Sequence, residues 1–389
     1  MRWASAISTA ASIDEAVAET SSAIAAQLGP DRADLVLAFV TDHLAGRFDR
    51  LSAGIARRFP SAVFAGCTAG GAIGGGAEIE HRAALSLCAA SLPAVRVAGL
   101  HLGTDPERWP VALPALDDED SPAAVLVLPC PLSCPTETLL AWTDERWPRA
   151  VKIGGLASGG MTGHGPSGNT LFLGEERHGE GAIVVTLAGD IAVDTIVAQG
   201  CRPIGEPLVI TKGLGNVVLE LDGVPALEVL ERLHAELPPG DRALFEHSLF
   251  IGLVPPRSPG AARRRDVLIR NLIGCDPGAG AIAVGARIAV GDLVQFHLRD
   301  AETSDQDLRE LLAEPQAPAA GALLFSCVGR GQLLYGHAGH DSGVFRRELG
   351  PIPLAGFFCN GEVGPVGGKT FLHGYTSAFA LFRRRGAQA

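Results

Sequence analysis

The segment Ala322–Gly368, ALLFSCVGRGQLLYGHAGHDSGVFRRELGPIPLAGFFCNGEVGPVGG, decides the fold. Ala322 to Ser326 is a short apolar run of strand length, the pattern of a strand covered on both faces. Ser342 to Leu349 reads as a helix, closed by Gly350-Pro351 because proline cannot continue it. Ile352 to Ala355 starts a second strand, which opens at Gly356 onto a glycine-rich loop.

The same order stands twice upstream. Leu35–Val40 is a strand, Leu44–Phe59 a helix stopped at Pro60, and Ala62–Ala65 a strand opening at Gly66. Val125–Leu128 is a strand, Thr136–Arg146 a helix closed by Trp147-Pro148, and Val151–Ile153 a strand opening at Gly154-Gly155. Glycines follow at the same spacing in all copies: Gly66, Gly71 and Gly74; Gly155, Gly160 and Gly163; Gly356, Gly361 and Gly364. Glycine spacing alone is a weak signal, and the shared strand–helix–proline–strand frame carries the repeat. Each loop leads to an apolar strand, at Ala84–Ala89, Ala182–Leu187 and Tyr375–Phe382. A degenerate fourth copy is expected between Ser248 and His297. Before the first copy, Ser12-Ile13-Asp14-Glu15 reads as a capping box opening a helix to about Leu28.

The expected class is therefore mixed α/β (α+β) and β-rich, as two related halves built from repeated strand–helix–strand–glycine loop–hairpin units. The turn at Gly200 to Pro207 divides them into residues 1–204 and 205–389.

The length of 389 residues fits two domains, and 47% hydrophobic residues suffice for real cores. The net charge of −11 leaves no basic surface for a nucleic-acid backbone. Arg263–Arg265 and Arg383–Arg385 read as solvated loop and tail. No apolar run is long enough to span a bilayer, and the start lacks a signal-peptide core, so a cytoplasmic protein with no membrane contact is expected. The eight scattered cysteines read as reduced thiols, and Cys130 and Cys134 lack the partner pair that a zinc site needs.

Chemistry gathers in the third copy. Cys359, Asn360, Gly361 and Glu362 follow one strand, with Lys369, His373 and Tyr375 shortly after; Cys327 and Arg330 follow the other. If the strands are neighbours, these residues ring one crevice at a sheet end, where open α/β sheets bind ligands. The equivalent stretches, Ala69–Ala72 and Ser158–Met161, are plain. The expected ligand-binding set is Cys327, Arg330, Cys359, Asn360, Gly361, Glu362, His373 and Tyr375. Arg330 and Asn360 would take a carboxylate and Glu362 an amine. The structural alternative is an Arg330–Glu362 ion pair with the thiols as filler. The catalytic alternative pairs Cys359 as nucleophile with His373 as base. His337 and His340 read as a loop before a helix capped by Asp341 or Ser342, and no metal site is expected.

Residues 356–368, with Phe371 to Thr376, resemble the closing motif of FIST-domain proteins, as does Ala322–Gly331. Gly291–Asp300 is similar to the same C-terminal segment. Gly66–Gly71 and Gly154–Gly160 resemble the N-terminal FIST segment, and Gly200–Gly205 the junction. The resemblance runs from about residue 30 to 382. It implies a sensory module for small ligands such as amino acids or their derivatives. Relatives sit beside signalling domains or behind an F-box, and some bind haem and sense nitric oxide. No kinase, methyl-accepting or F-box segment fits before Asp31, so a stand-alone protein signalling to a separate partner is expected, with a homo-oligomer open. Haem would need an axial ligand such as His297, His373 or Tyr375; none is singled out, and no cofactor is the expectation.

Overall fold

A computed structural model describes residues 1–110, 121–160, 168–255, 267–314 and 316–386. Gly163, Met161 and Arg263–Arg265 lie outside the described residues. The chain forms two compact units, one of residues 1–198, 309–365 and 369–389, the other of 199–308 with 366–368.

The first unit opens with β1 (Arg2–Ser8) and α1 (Ile13–Leu28). Ser12 caps α1 by accepting from the Glu15 amide at 3.3 Å, and Gly29 ends it, as the sequence predicts. Copy one follows as β2 (Leu35–Thr41), α2 (Phe48–Arg58), β3 (Val63–Ala69), the hairpin β4 (Gly71–Gly74) and β5 (Ala77–Glu80), and β6 (Leu85–Ser91). After β7 (Val95–Leu102), copy two runs as β8 (Ala124–Pro129), α3 (Thr136–Arg146), β9 (Val151–Gly155), the hairpin β10 (Leu171–Leu173) and β11 (Glu176–His178), and β12 (Ala182–Gly189). The strand β13 (Ala192–Ala198) comes next.

Here the second unit is inserted. It comprises β14 (Cys201–Leu214), β15 (Val217–Leu221), β16 (Val224–Pro225), α4 (Ala226–Glu236), α5 (Pro239–Phe245), β17 (Leu249–Leu253), β18 (Leu268–Asp276), β19 (Ala281–Val284) and β20 (Leu293–Arg299). The long β14 pairs with β20 through its first half and with β15 through its second, so the order β14-β20-β17-β18-β19-β15 closes on itself. The result is an antiparallel barrel around Ile210, Ile251, Ile282, Phe296 and Leu298, and closure removes its edges. The expected fourth copy is corrected here. β17 and β18 pair antiparallel, whereas the true copies pair their two strands parallel through a helix. Short apolar runs do not encode pairing direction, which is why the stretch resembled a copy.

The chain continues through α6 (Ala301–Ala313) into copy three: β21 (Gly321–Cys327), α7 (Gly331–Tyr335), α8 (His340–Leu349), β22 (Leu354–Cys359), the hairpin β23 (Glu362–Val366) and β24 (Lys369–His373), and β25 (Ser377–Arg383). The parallel pairs are β2 with β3, β8 with β9, and β21 with β22.

Each hairpin leaves its own sheet and completes another. The sheet orders are β1-β6-β2-β3-β10-β11, β7-β12-β8-β9-β23-β24 and β13-β25-β21-β22-β4-β5. Copy two completes the sheet of copy one, copy three that of copy two, and copy one that of copy three. The mixed, β-rich class of the sequence reading holds, and its three copies form one cyclic unit with a common core. In that core Phe39, Leu128 and Phe325 occupy the same place on the three first strands. Phe39 stacks on Phe357 at 4.8 Å between ring centres, and Phe325 meets Phe357 edge-on at 5.7 Å.

The register also fixes which glycines correspond. Gly66 lies opposite Ala38, Gly154 opposite Val127 and Gly356 opposite Leu324. A Cβ there would stand 2.0, 1.9 and 1.7 Å from those carbonyl oxygens. Thus Gly154, not Gly155, is the partner of Gly66 and Gly356. The two-residue turn Gly367-Gly368 has φ of 57° and 84°, the left-handed pair that a tight hairpin demands.

Gly356→Ala is expected to lower stability by about 3 kcal/mol or more, because the obstructing atom is backbone in a packed core. Gly350→Ala, whose Cβ meets nothing within 4 Å, tests the φ cost alone and is expected to lose only about 1–2 kcal/mol. Urea melts of both variants measure the difference.

Candidate functional site

The parallel strands of the first unit end in loops that bond to one another. The Leu156 amide donates to Gly361 O at 2.9 Å and the Asn360 amide to Leu156 O at 3.1 Å. The Ser158 amide donates to Thr68 O at 3.2 Å, and the Gly70 amide donates to Ser158 Oγ at 2.8 Å. Val328 N–H donates to Cys359 O at 3.0 Å. Loops from all three copies therefore meet in one place, with Gly70, Val328 and Asn360 on the surface.

Beneath this meeting lies Glu362, fully buried at the first position of β23. Its Oε2 accepts from the Thr376 amide at 3.0 Å and from Thr376 Oγ1 at 2.7 Å. Its Oε1 accepts from Cys359 Sγ at 3.4 Å. Burial pushes the Glu362 carboxyl up to about 7, against the opposing pull of Thr376, Cys359 and the Arg330 charge. Tyr375, just before Thr376, is held at φ 67°, a costly conformation for a bulky residue that tends to mark functional positions. Its ring stands beside Gly329 and is half-buried.

Register shows how singular Glu362 is. It pairs with Gly155 on β9; the equivalent hairpin residues are Ala72, paired with Phe357, and Leu171, paired with Cys67. All three positions are fully buried. Only copy three places a carboxyl where the others hold alanine and leucine.

Arg330 has a different role from the one the sequence implied. It is fully buried and grips Asp341 with two hydrogen bonds, Nε to Oδ2 at 2.9 Å and Nη2 to Oδ1 at 3.0 Å. Its Nη2 also donates to Tyr335 Oη at 2.6 Å. Ser326 Oγ donates to Asp341 Oδ2 at 2.9 Å, Ser377 Oγ donates to the same oxygen, and His340 Nδ1 stands 3.0 Å from Oδ1. Burial alone would raise the Asp341 pKa. Arg330 and these hydrogen bonds overcome it and hold the carboxylate well below its usual range.

Copy one's hairpin closes this cluster. Glu78 Oε1 accepts from the Ser342 amide at 2.6 Å in the first turn of α8, and Glu80 Oε1 from the Gln332 amide at 3.0 Å in the first turn of α7. The cap of α8 thus comes from a distant carboxylate, not from Asp341 or Ser342, and the helix starts at His340. Burial, then the Asp341 charge, pushes Glu78 up to about 7. A matching clasp holds copy three's hairpin on copy two. Asp144 on α3 accepts from the Thr370 amide at 2.9 Å and from Thr370 Oγ1 at 2.7 Å, and it pairs with buried Lys152 at 2.9 Å.

The structure thus joins Cys359 and Glu362 by a direct bond, with Gly361 and Asn360 in the same loop and Tyr375 preceding the Thr376 donors. Cys327 Sγ, on the neighbouring strand, accepts from the Gly329 amide at 3.5 Å. His373 is buried with Nε2 3.1 Å from Gly364 O. Burial, then Glu362, pushes the Cys359 thiol well above its usual range, the reverse of what a nucleophile needs. His297, in the barrel, has Nδ1 3.0 Å from Gln295 O. Both histidines are 3% exposed with a ring nitrogen on a backbone carbonyl. Among the described residues no cluster has the make-up of a metal site, and no helix is long and apolar enough to cross a membrane. Asp341, Glu78, Glu80 and Thr376 escape sequence reasoning as a site. Asp341 carried a signal there only as a helix cap, and Thr376 only as the last residue of the closing motif.

The FIST N domain profile matches residues 34–224 and the FIST C domain profile residues 226–365. The chain belongs to the FIST family. FIST domains are sensory, small-ligand-binding signalling domains. The FIST chain is similar to Mycobacterium tuberculosis (strain ATCC 25618 / H37Rv) protein Rv0628c, at 36% identity over 98% of this chain and 100% of that protein. It is also similar to Mycobacterium bovis protein Mb0898c, at 40% over 66% of this chain and 67% of that one. The Arabidopsis thaliana F-box/LRR-repeat protein At5g63520 is 25% identical over 36% of this chain and 31% of its own length. The FIST C match ends at residue 365, so the Thr376 donors to Glu362 lie just beyond it.

Glu362 gives a pH test. Its folded value of about 7 exceeds the unfolded 4.5, so the unfolded chain releases the proton first as pH rises. The stability it contributes is complete below about pH 4.5 and is lost as pH rises through about 7. Glu362→Gln is expected to flatten the fall in melting temperature across that window, leaving the part due to Glu78 and Glu80, which burial also raises. Asp341→Asn, which leaves Arg330 buried against a neutral amide, is expected to cost about 3–5 kcal/mol in urea melts.

Proposed function

We propose that this FIST protein is a cytoplasmic sensor that binds an amino acid or amino-acid derivative where its three loops meet, over Glu362. The observation that carries the reading is the enclosed Glu362 carboxyl, at a position filled by alanine and leucine in the other copies. A carboxyl that changes charge near neutral pH is suited to answer a ligand's ammonium group. Asn360, exposed beside it, supplies an amide for the carboxylate end, and the low bulk of Gly70, Gly329 and Gly361 leaves backbone near the ligand. Arg330 acts as a positioning residue, bracing the β21 end of the site through Asp341 and Ser326.

The transmission step follows from Tyr375. A ligand that shifts this residue out of its left-handed conformation also shifts Thr376, which supplies both donors to Glu362 Oε2. Occupancy then changes the local fold of the loop before β25, the feature that a separate signalling partner would read.

Isothermal titration against the twenty amino acids and their amides tests the reading. At least one is expected to bind saturably, about tenfold or more weaker in Glu362→Gln and in Asn360→Ala. No heat with any compound, or equal affinity in Glu362→Gln, overturns it.

A further inference from the structure

The barrel unit holds a groove of about 540 Å³ that none of the sequence motifs announces. Its floor is apolar, built by Leu227 and Leu230 of α4, Leu249 of β17, Leu272 of β18 and Ile282 of β19, with Phe245 at the end of α5 as one wall. That volume falls in the range of small-molecule sites, which pair apolar walls with a few placed polar groups. Here the polar groups are Glu231, Glu246 and His234; among the described residues no lysine or arginine lines the groove. His234 lies against the Phe245 ring at 5.1 Å between centres. Glu246 and its neighbour His247 are both mostly exposed and stand 4.0 Å apart.

The strand beside the groove is irregular where it forms the lip. Pairing of β18 with β19 jumps from Leu272–Val284 to Gly274–Ala283, leaving Ile273 as an extra, outward residue that is 59% exposed. Bulges of this kind re-aim side chains next to binding sites. Gly274, at the bulge, has open space where a Cβ would stand, and Cys275 beside it is an exposed free thiol.

We propose that this groove is a second ligand site, distinct from the Glu362 site, for a small molecule with an apolar body and a cationic amine head. The apolar body lies on the leucines and Ile282. The ammonium group lies between the Glu231 and Glu246 carboxylates and against the Phe245 ring, whose face attracts cations. A free carboxylate on the ligand is disfavoured, because the lining offers it two like charges and no fixed cation. An amine lacking a carboxylate is therefore the class selected, in contrast to the amino-acid class proposed for the first unit.

Protection of Cys275 tests this on the full chain. Iodoacetamide alkylation of Cys275 is followed by peptide mass spectrometry with 2-(2-naphthyl)ethylamine or 3-(2-naphthyl)propanoate, probes that share an aromatic body and differ in head charge. The amine is expected to slow alkylation saturably, at least about tenfold more tightly than the carboxylate. Glu231→Lys with Glu246→Lys, at exposed positions, is expected to abolish or reverse that preference. Gly274→Phe, at a groove-lining position where a Cβ meets nothing within 4 Å, is expected to remove protection. Three results overturn the proposal: no amine protection at about 1 mM, equal protection by both probes, or preference unchanged in the double lysine variant. A Gly274→Phe chain that melts normally and is still protected also overturns it. None of these readouts depends on Glu362, so failure here leaves the first site standing, and failure of the amino-acid titration leaves this one.

Discussion

The exchange of hairpins is the constraint on which the first unit depends. A parallel pair such as β8 and β9 has an open edge, and an open edge invites unwanted pairing. Copy three's β23 covers that edge by pairing Glu362 with Gly155 and Val363 with Gly154. The glycines opposite Ala38, Val127 and Leu324 belong to the same constraint. A side chain at any of them would meet the neighbouring backbone, so the second strand could not sit at its register. The common core around Phe39, Leu128 and Phe325 then packs three sheets that no copy completes alone.

The polar chemistry sits at the joints of this exchange. Glu78 and Glu80 seat copy one's hairpin on the amide ends of α7 and α8, and Asp144 seats copy three's hairpin beside α3. Donors at a helix start favour negative charge, which offsets part of the cost of burying these carboxyls. Glu362 also lies on an exchanged hairpin, in β23, but its partners are Thr376 and Cys359 from its own copy. The structural roles, and the ligand-facing role proposed for Glu362, are thus divided among acids that all lie on exchanged hairpins or beside them.

Much of this was legible in the sequence, because buried strands, proline-stopped helices and glycine openings follow local rules. The three copies and the capped first helix appear where those rules put them. The one-residue displacement in copy two, from Gly155 to Gly154, arose because spacing was counted without knowing which carbonyl each glycine faces. The cluster around Arg330 and Asp341 was hidden for a related reason. Asp341 reads locally as a helix cap, and Glu78 lies 264 residues from the Ser342 amide that it accepts from. Glu362 was legible as chemistry out of place in a plain loop, though not its burial or its bond to Cys359. The barrel groove had no local signature, since its walls come from two helices and three strands.

The cyclic exchange also sets an order of events during synthesis. As the chain leaves the ribosome amino end first, β9 emerges more than 200 residues before its edge partner β23. The hairpin of copy one must wait longer still, from residues 71–80 until β22 at 354–359. Until then the nascent chain carries bare strand edges and an unfinished core, the condition that chaperones meet most often. The antiparallel barrel, with its pairings contained in residues 201–299, can close during that wait. A stop codon anywhere between residues 178 and 362 would therefore leave the sheet of copy two without β23 and β24, so loss of a short tail would damage the middle of the protein as well as its end.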